Sequence, residues 1–201
     1  MQVQSFVRTT PFALAAASVA LMAATSSPAA LAQPVTYTVD PTHTYVTFEA
    51  KHFGTSTNRG RFDKKDGSIV LDRAARSGRA EISIDMASIS TGLAAFDGHL
   101  RSKDFFNASE FATARFVGDR FTFNGDKVSA VAGTLTMLGK TSPVTLTATN
   151  FNCFEHPMLK REVCGGDFET TIQRSQWGMA YGLPGIPDNI RLLVQVEAIR
   201  Q

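Results

Sequence analysis

From Gln33 onward, apolar side chains recur at every second position, the period of a strand with one dry face and one wet face. Val46, Phe48, Ala50 and His52 alternate with Tyr45, Thr47, Glu49 and Lys51. Ala80, Ile82 and Ile84 alternate with Arg79, Glu81, Ser83 and Asp85, and Val144, Leu146 and Ala148 alternate with three threonines. Ile190, Leu192, Val194, Val196 and Ala198 form the longest such series. Turn residues punctuate further segments. Gly118-Asp119 predicts a hairpin between 111–117 and 120–123, Asn124-Gly125-Asp126 predicts another, and Asp66-Gly67 separates 60–64 from 68–71. Segment 128–137 reads as a long strand with Gly133 inside it, where the chain bends or another backbone comes close. One stretch departs from the two-residue period. Residues 91–102 carry Leu93, Phe96 and Leu100 at spacings of three and four, the mark of a short helix. Eight or nine strands with no βαβ repeat predict an all-β fold: an antiparallel barrel of about eight strands with a lid helix.

Composition agrees with a single globular domain: 201 residues, 43% hydrophobic and 19% charged. The net charge of +2 is spread along the chain and leaves no electrostatic footprint for nucleic acid. Fifteen Phe against three Tyr and one Trp point to an interior with little need of hydrogen-bond partners.

Residues 1–32 read as an address rather than as part of the fold. Arg8 precedes an apolar run from Pro11 to Ala24, Ser26-Ser27-Pro28 breaks it, and Ala30-Leu31-Ala32 supplies a small-residue cleavage site. The run is shorter than the roughly 20 residues a membrane-spanning helix needs. A cleaved secretory signal is expected, leaving residues 33–201 as the exported domain. In an oxidising compartment the two cysteines, Cys153 and Cys164, are expected to form a disulfide within a polar stretch that reads as a long hairpin loop.

A barrel of this size can fill itself with side chains or enclose one ligand. Alternation alone is compatible with both.

The order of short motifs brings in a further argument. Tyr37-Thr38-Val39-Asp40-Pro41-Thr42-His43-Thr44 is followed by Phe48, His52 and Gly60-Arg61-Phe62, then by Ile84-Asp85 and Ser88-Ile89-Ser90-Thr91-Gly92. Asp97-Gly98-His99-Leu100-Arg101-Ser102, Asp104-Phe105-Phe106-Asn107, Phe111 with Phe116, and Gly133-Thr134-Leu135-Thr136 come next. Gly139-Lys140-Thr141-Ser142-Pro143-Val144 and Ile172-Gln173-Arg174-Ser175 with Trp177-Gly178-Met179 complete the series. In this order and spacing, over residues 36–199, the chain resembles the YceI-like polyisoprenoid-binding proteins of the bacterial periplasm. It departs from their pattern at Phe96, where a polar or basic residue is common, at Trp177, where Phe is frequent, and in the Cys153–Cys164 insertion.

The resemblance implies a lipocalin-like barrel around an apolar cavity, holding a long-chain isoprenoid lipid of quinone or polyprenyl type. Such a ligand needs few polar contacts, since each buried CH₂ contributes about 0.8 kcal/mol. The candidate cavity-lining residues are Phe48, Phe62, Ile82, Ile84, Phe116, Val128, Leu135, Leu146, Ile172, Leu192 and Val194, each of which also suits ordinary core packing. Phe96 and Leu100 are candidates to close the mouth, and His43, His99 and Arg174 to meet the polar head. The expected setting is the periplasm, with the lipid as ligand and no other cofactor. Transient membrane contact, and a monomer or a homodimer, stay open.

Other chemistries find little support. Asp97, His99 and Ser102 are the one cluster suggestive of nucleophilic catalysis, without a G-x-S-x-G elbow. His43, His52, His99 and His156 lack metal-ligand spacing. Asn107-Ala108-Ser109 matches a glycosylation sequon but reads as the turn leaving the lid. The competing reading is a non-catalytic stress-response or interaction protein with a filled barrel.

Overall fold

The computed structural model describes residues 1–5 and 33–201. The expected signal segment, with its apolar run and cleavage site, lies outside the described residues. Among the described residues eleven strands follow one another: β1 (Val35–Val39), β2 (Tyr45–His52), β3 (Ser56–Phe62), β4 (Lys65–Asp72), β5 (Ser77–Asp85), β6 (Ile89–Ser90), β7 (Thr113–Asn124), β8 (Lys127–Met137), β9 (Lys140–Glu155), β10 (Glu162–Gln173) and β11 (Asn189–Arg200). Among the described residues, one α-helix, α1 (Ala94–Arg101), stands between β6 and β7.

Eight of the strands close a ring in the order β1, β4, β5, β7, β8, β9, β10, β11, and β1 completes it by pairing Tyr37 with Arg200 and Val39 with Ala198. Among the described residues every pairing is antiparallel. Closure removes the unpaired edges that an open sheet would expose. The long β11 carries β1 beside its second half and β2 beside its first, where Arg191 faces Glu49 and Gln195 faces Tyr45. Strands β3 and β6 extend from β2, so one end of the barrel flares. Helix α1 follows that flared edge directly.

Four local expectations need correction. Gly118-Asp119 makes no hairpin: β7 runs through it with a register shift between Gly118 and Arg120. Gly133 lies opposite Gly118, and a Cβ on either would strike its neighbours, so these glycines serve close backbone approach rather than a turn. Asp66-Gly67 lies inside β4, and the break between strands falls at Asp63-Lys64. The stretch around the cysteines is strand, not loop: β9 reaches Glu155, β10 starts at Glu162, and Cys153 faces Cys164 directly across the ladder. Gly165 and Gly166 disguise β10, because they stand where a Cβ would meet the backbone at Val196 and Asn150. Finally, Leu93 is not on the packed face of the helix; it caps α1 and is exposed.

Cys153 and Cys164 are joined in a disulfide. Bridging this separation constrains the unfolded chain, an effect worth about 3 kcal/mol. The expected turn after the lid is present, with Asn107 donating to Glu110 at 2.8 Å. The outer face carries cross-strand ion pairs, Glu49 with Arg59 at 2.8 Å and with Arg191 at 3.2 Å. Exposed pairs of this kind stabilise little, but they fix which face is wet.

Candidate functional site

The barrel is not filled. Beneath α1 lies a chamber of about 320 Å³, and deeper in the barrel a second of about 80 Å³. The walls come from inward positions of successive strands, which alternation alone selects. Phe48, Phe62, Ile84, Leu135, Ile172 and Leu192 line the upper chamber only. Ile82, Phe116, Leu146 and Val194 line both chambers, and Val128 lines only the lower one. From the helix, Phe96 and Leu100 face the upper chamber, with Leu100 buried.

Two runs of aromatic rings shape the upper wall. Phe48 and Phe62 lie 6.3 Å apart, and Phe62 meets Phe106 edge-on at 5.4 Å. On the other run, His99 sets its ring edge-on to Phe105 at 5.0 Å and to Tyr181 at 5.5 Å. Edge-to-face packing of this kind adds about 0.5–1.5 kcal/mol beyond the burial itself. Among the described residues the contacts of the His99 ring are aromatic.

Polar lining gathers at the helix end. His52, Asn58, His99, Arg174 and Tyr181 all border the upper chamber. Arg174 is almost wholly buried. Its Nε donates to the Pro187 carbonyl at 3.1 Å, Nη1 to Met179 at 3.1 Å and Nη2 to Ile186 at 2.9 Å. One side chain thereby ties down the loop between β10 and β11. Burial lowers its pKa from the ordinary arginine value, and the nearby Asp188 carboxylate opposes that effect. The adjacent Trp177 does not reach the cavity; its indole N–H donates to the Leu135 carbonyl at 3.0 Å and anchors the turn beneath β8.

The lid is pinned by Asp97, whose Oδ1 accepts from the Thr91 amide at 2.7 Å and the Thr91 hydroxyl at 2.6 Å. Those bonds hold its carboxyl below the usual aspartate range. Asp97, His99 and Ser102 share no hydrogen bond among the described residues; Asp97 is engaged by Thr91 and His99 by aromatic rings.

His43 is a correction. It lines neither chamber and stands exposed in the turn between β1 and β2. Its Nδ1 lies 2.7 Å from the Asp40 carboxylate, which fixes the turn from outside the barrel. Asp40 also accepts from the Thr42 amide at 2.8 Å and hydroxyl at 2.6 Å.

Several lining residues escaped sequence reasoning. Val46, Ala50, Val144 and Ile190 share a strand face with residues that were named, so two-residue spacing would have found them. Phe105, Phe106, Met179, Tyr181 and Ile186 sit in connecting segments where no period operates.

Residues 37–198 match the YceI-like domain. The chain belongs to the YceI-like family. A UPF0312 protein of Pseudomonas aeruginosa (strain LESB58) is 34% identical over 160 residues, covering 79% of this chain and 83% of that relative. A UPF0312 protein of Shewanella denitrificans is 32% identical over 161 residues, with the same coverage. Among solved structures, the Campylobacter jejuni YCEI protein superposes with a TM-score of 0.67 at 25% identity, over 75% of this chain and 90% of that one. A polyisoprenoid-binding domain from Saccharophagus degradans gives a TM-score of 0.61 at 15% identity, over 83% of this chain and 99% of that one. At that identity the likeness concerns the fold. Among the described residues of this YceI-like chain, no helix is long and apolar enough to cross a membrane.

Proposed function

We propose that this YceI-like protein binds an isoprenoid lipid of quinone or polyprenyl type in its upper chamber, and carries or stores it in the periplasm without chemical change. The observation that supports this reading is the distribution of polarity. Apolar side chains from β2, β3, β5, β7, β8, β9, β10 and β11 surround the chamber, and the few polar groups collect at the helix end. A hydrocarbon chain gains from such walls in proportion to its buried surface, whereas a polar head needs a small number of placed donors. Arg174 and His99 are the donors we assign to the head. A guanidinium has five N–H groups, and the loop carbonyls of Pro187, Met179 and Ile186 take three of them.

The test is to purify the protein from its native host, extract it with organic solvent and identify the extract by mass spectrometry. A stoichiometric isoprenoid lipid is expected. Repeated recovery of no lipid would overturn the proposal and favour a barrel that acts through its surface.

A further inference from the structure

The two chambers are stacked, and five side chains border both of them: Val46, Ile82, Phe116, Leu146 and Val194. They come from β2, β5, β7, β9 and β11, so they ring the barrel at the level where the chambers meet, the floor of the upper one. Phe116 is its largest member and is buried. A Cβ at Gly118 would stand 3.0 Å from Phe116 Cε1, which places the ring over the glycine two residues along the same strand. The bulge at Gly118 and the position of the ring are thus parts of one arrangement.

Among the described residues, the lower chamber offers a polar ligand group no uncommitted side-chain hydroxyl proton. Among the described residues, Tyr37 and Thr44 are the only side-chain hydroxyls lining the lower chamber, and both donate their protons elsewhere. Tyr37 donates to Glu162 at 2.7 Å, and Thr44 donates to the Glu197 carbonyl at 3.2 Å while accepting from the Glu197 amide at 3.1 Å. Above the floor stand His99 and Arg174. A lipid in this site therefore lies head to the helix and tail to the floor. The upper chamber's volume of about 320 Å³ is near the lower end of the roughly 300–1,000 Å³ usual for pockets that enclose a drug-sized molecule.

Resting on the isoprenoid reading above, we infer that the floor built around Phe116 measures the ligand's tail: the site takes a short isoprenoid chain and excludes a long polyprenyl tail from the lower barrel. An isoprene unit brings several carbons, so each unit admitted or refused changes occupancy by about tenfold or more.

The experiment is native mass spectrometry of the full chain after incubation with an equimolar mixture of geraniol, farnesol, geranylgeraniol and solanesol. The wild type is expected to take farnesol or geranylgeraniol over solanesol by about tenfold or more. Phe116→Ala, which removes the largest side chain of the floor ring, should shift the preferred length upward by at least one isoprenol of the series. Leu146→Ala, at a half-buried floor position, should shift it the same way and serves if the first variant fails to fold. Equal or greater occupancy by solanesol in the wild type would overturn the inference. So would a folded floor variant with wild-type length preference. Failure of the wild type to take any isoprenol would instead remove the isoprenoid reading itself, a separate outcome.

Discussion

The ring of Phe48 lies over Gly60, its direct partner across the β2–β3 ladder. A Cβ at Gly60 would stand 2.6 Å from both Cε1 and Cζ of that ring, and 3.0 Å from Thr91 Cγ2. The glycine is what lets a large ring lie flat against the wall and leave the chamber open.

Gly60→Ala should therefore push the Phe48 ring toward the chamber. Overpacking of this kind costs about 1–3 kcal/mol. Urea denaturation should show that loss, and isoprenoid titration should show weaker binding. A Gly60→Ala protein with unchanged stability and affinity would mean that the ring relaxes elsewhere.

Leu135 and Leu146 face the chamber from β8 and β9. Leu135→Trp or Leu146→Trp should abolish lipid uptake with modest loss of stability, because the added volume goes into open space. In a filled core the same changes would cost about 1–3 kcal/mol or more. Thermal melts of lipid-free protein beside binding titrations decide between the two; heavy destabilisation by both would contradict the open chamber.

Arg174→Met keeps the length of the buried side chain but removes the donors to Met179, Ile186 and Pro187. Leaving carbonyls without partners costs about 1–3 kcal/mol each where water cannot replace the bond. The expected result is a lower melting temperature together with faster hydrogen exchange across residues 179–187. Exchange at the wild-type rate would show that other contacts hold the loop.

The Asp40–His43 pair gives stability a defined pH window. Burial alone would raise the Asp40 pKa, but the hydrogen bonds from His43 and Thr42 outweigh it and hold the carboxyl at about 2. The bond to Asp40 raises the His43 pKa above its ordinary 6.5. A raised histidine stabilises fully below its unfolded pKa and loses that contribution as pH rises through the folded value. A depressed carboxyl stabilises above its unfolded pKa and loses that as pH falls toward about 2. The melting temperature of the wild type should exceed that of His43→Gln between roughly pH 4 and 6.5. The difference should shrink at more alkaline and more acid pH. A gap that stays constant across the series would place the effect in packing, not in charge.

Much of the barrel was legible because its strands bury one face only. Ile190, Leu192 and Val194 alternate with wet positions, and all three reach the chamber wall. β10 was hidden because Gly165 and Gly166 replace the side chains that would have carried the alternation. Gly118-Asp119 misled for a related reason: the residues that favour turns also favour bulges, and only the partner strand decides between them. His43 misled because a histidine near an apolar strand looks the same in sequence whether it faces a cavity or a turn. Its place follows from Asp40, three residues away, and not from the strand that follows.

The local order of residues was sufficient by itself for an all-β antiparallel barrel, a short helix near residues 91–102 and a pair of cysteines set to join. The barrel and the helix follow from periods of two and of three to four, which act over neighbouring residues, and the cysteine pair from the export signal expected ahead of the domain. Only the folded chain decided that the interior is open, with two chambers along it. Val46, Ile82, Phe116, Leu146 and Val194 lie far apart in sequence and come together only when the sheet closes on itself. Whether inward side chains meet at the axis depends on the barrel's radius, which closure sets and no short stretch of sequence contains.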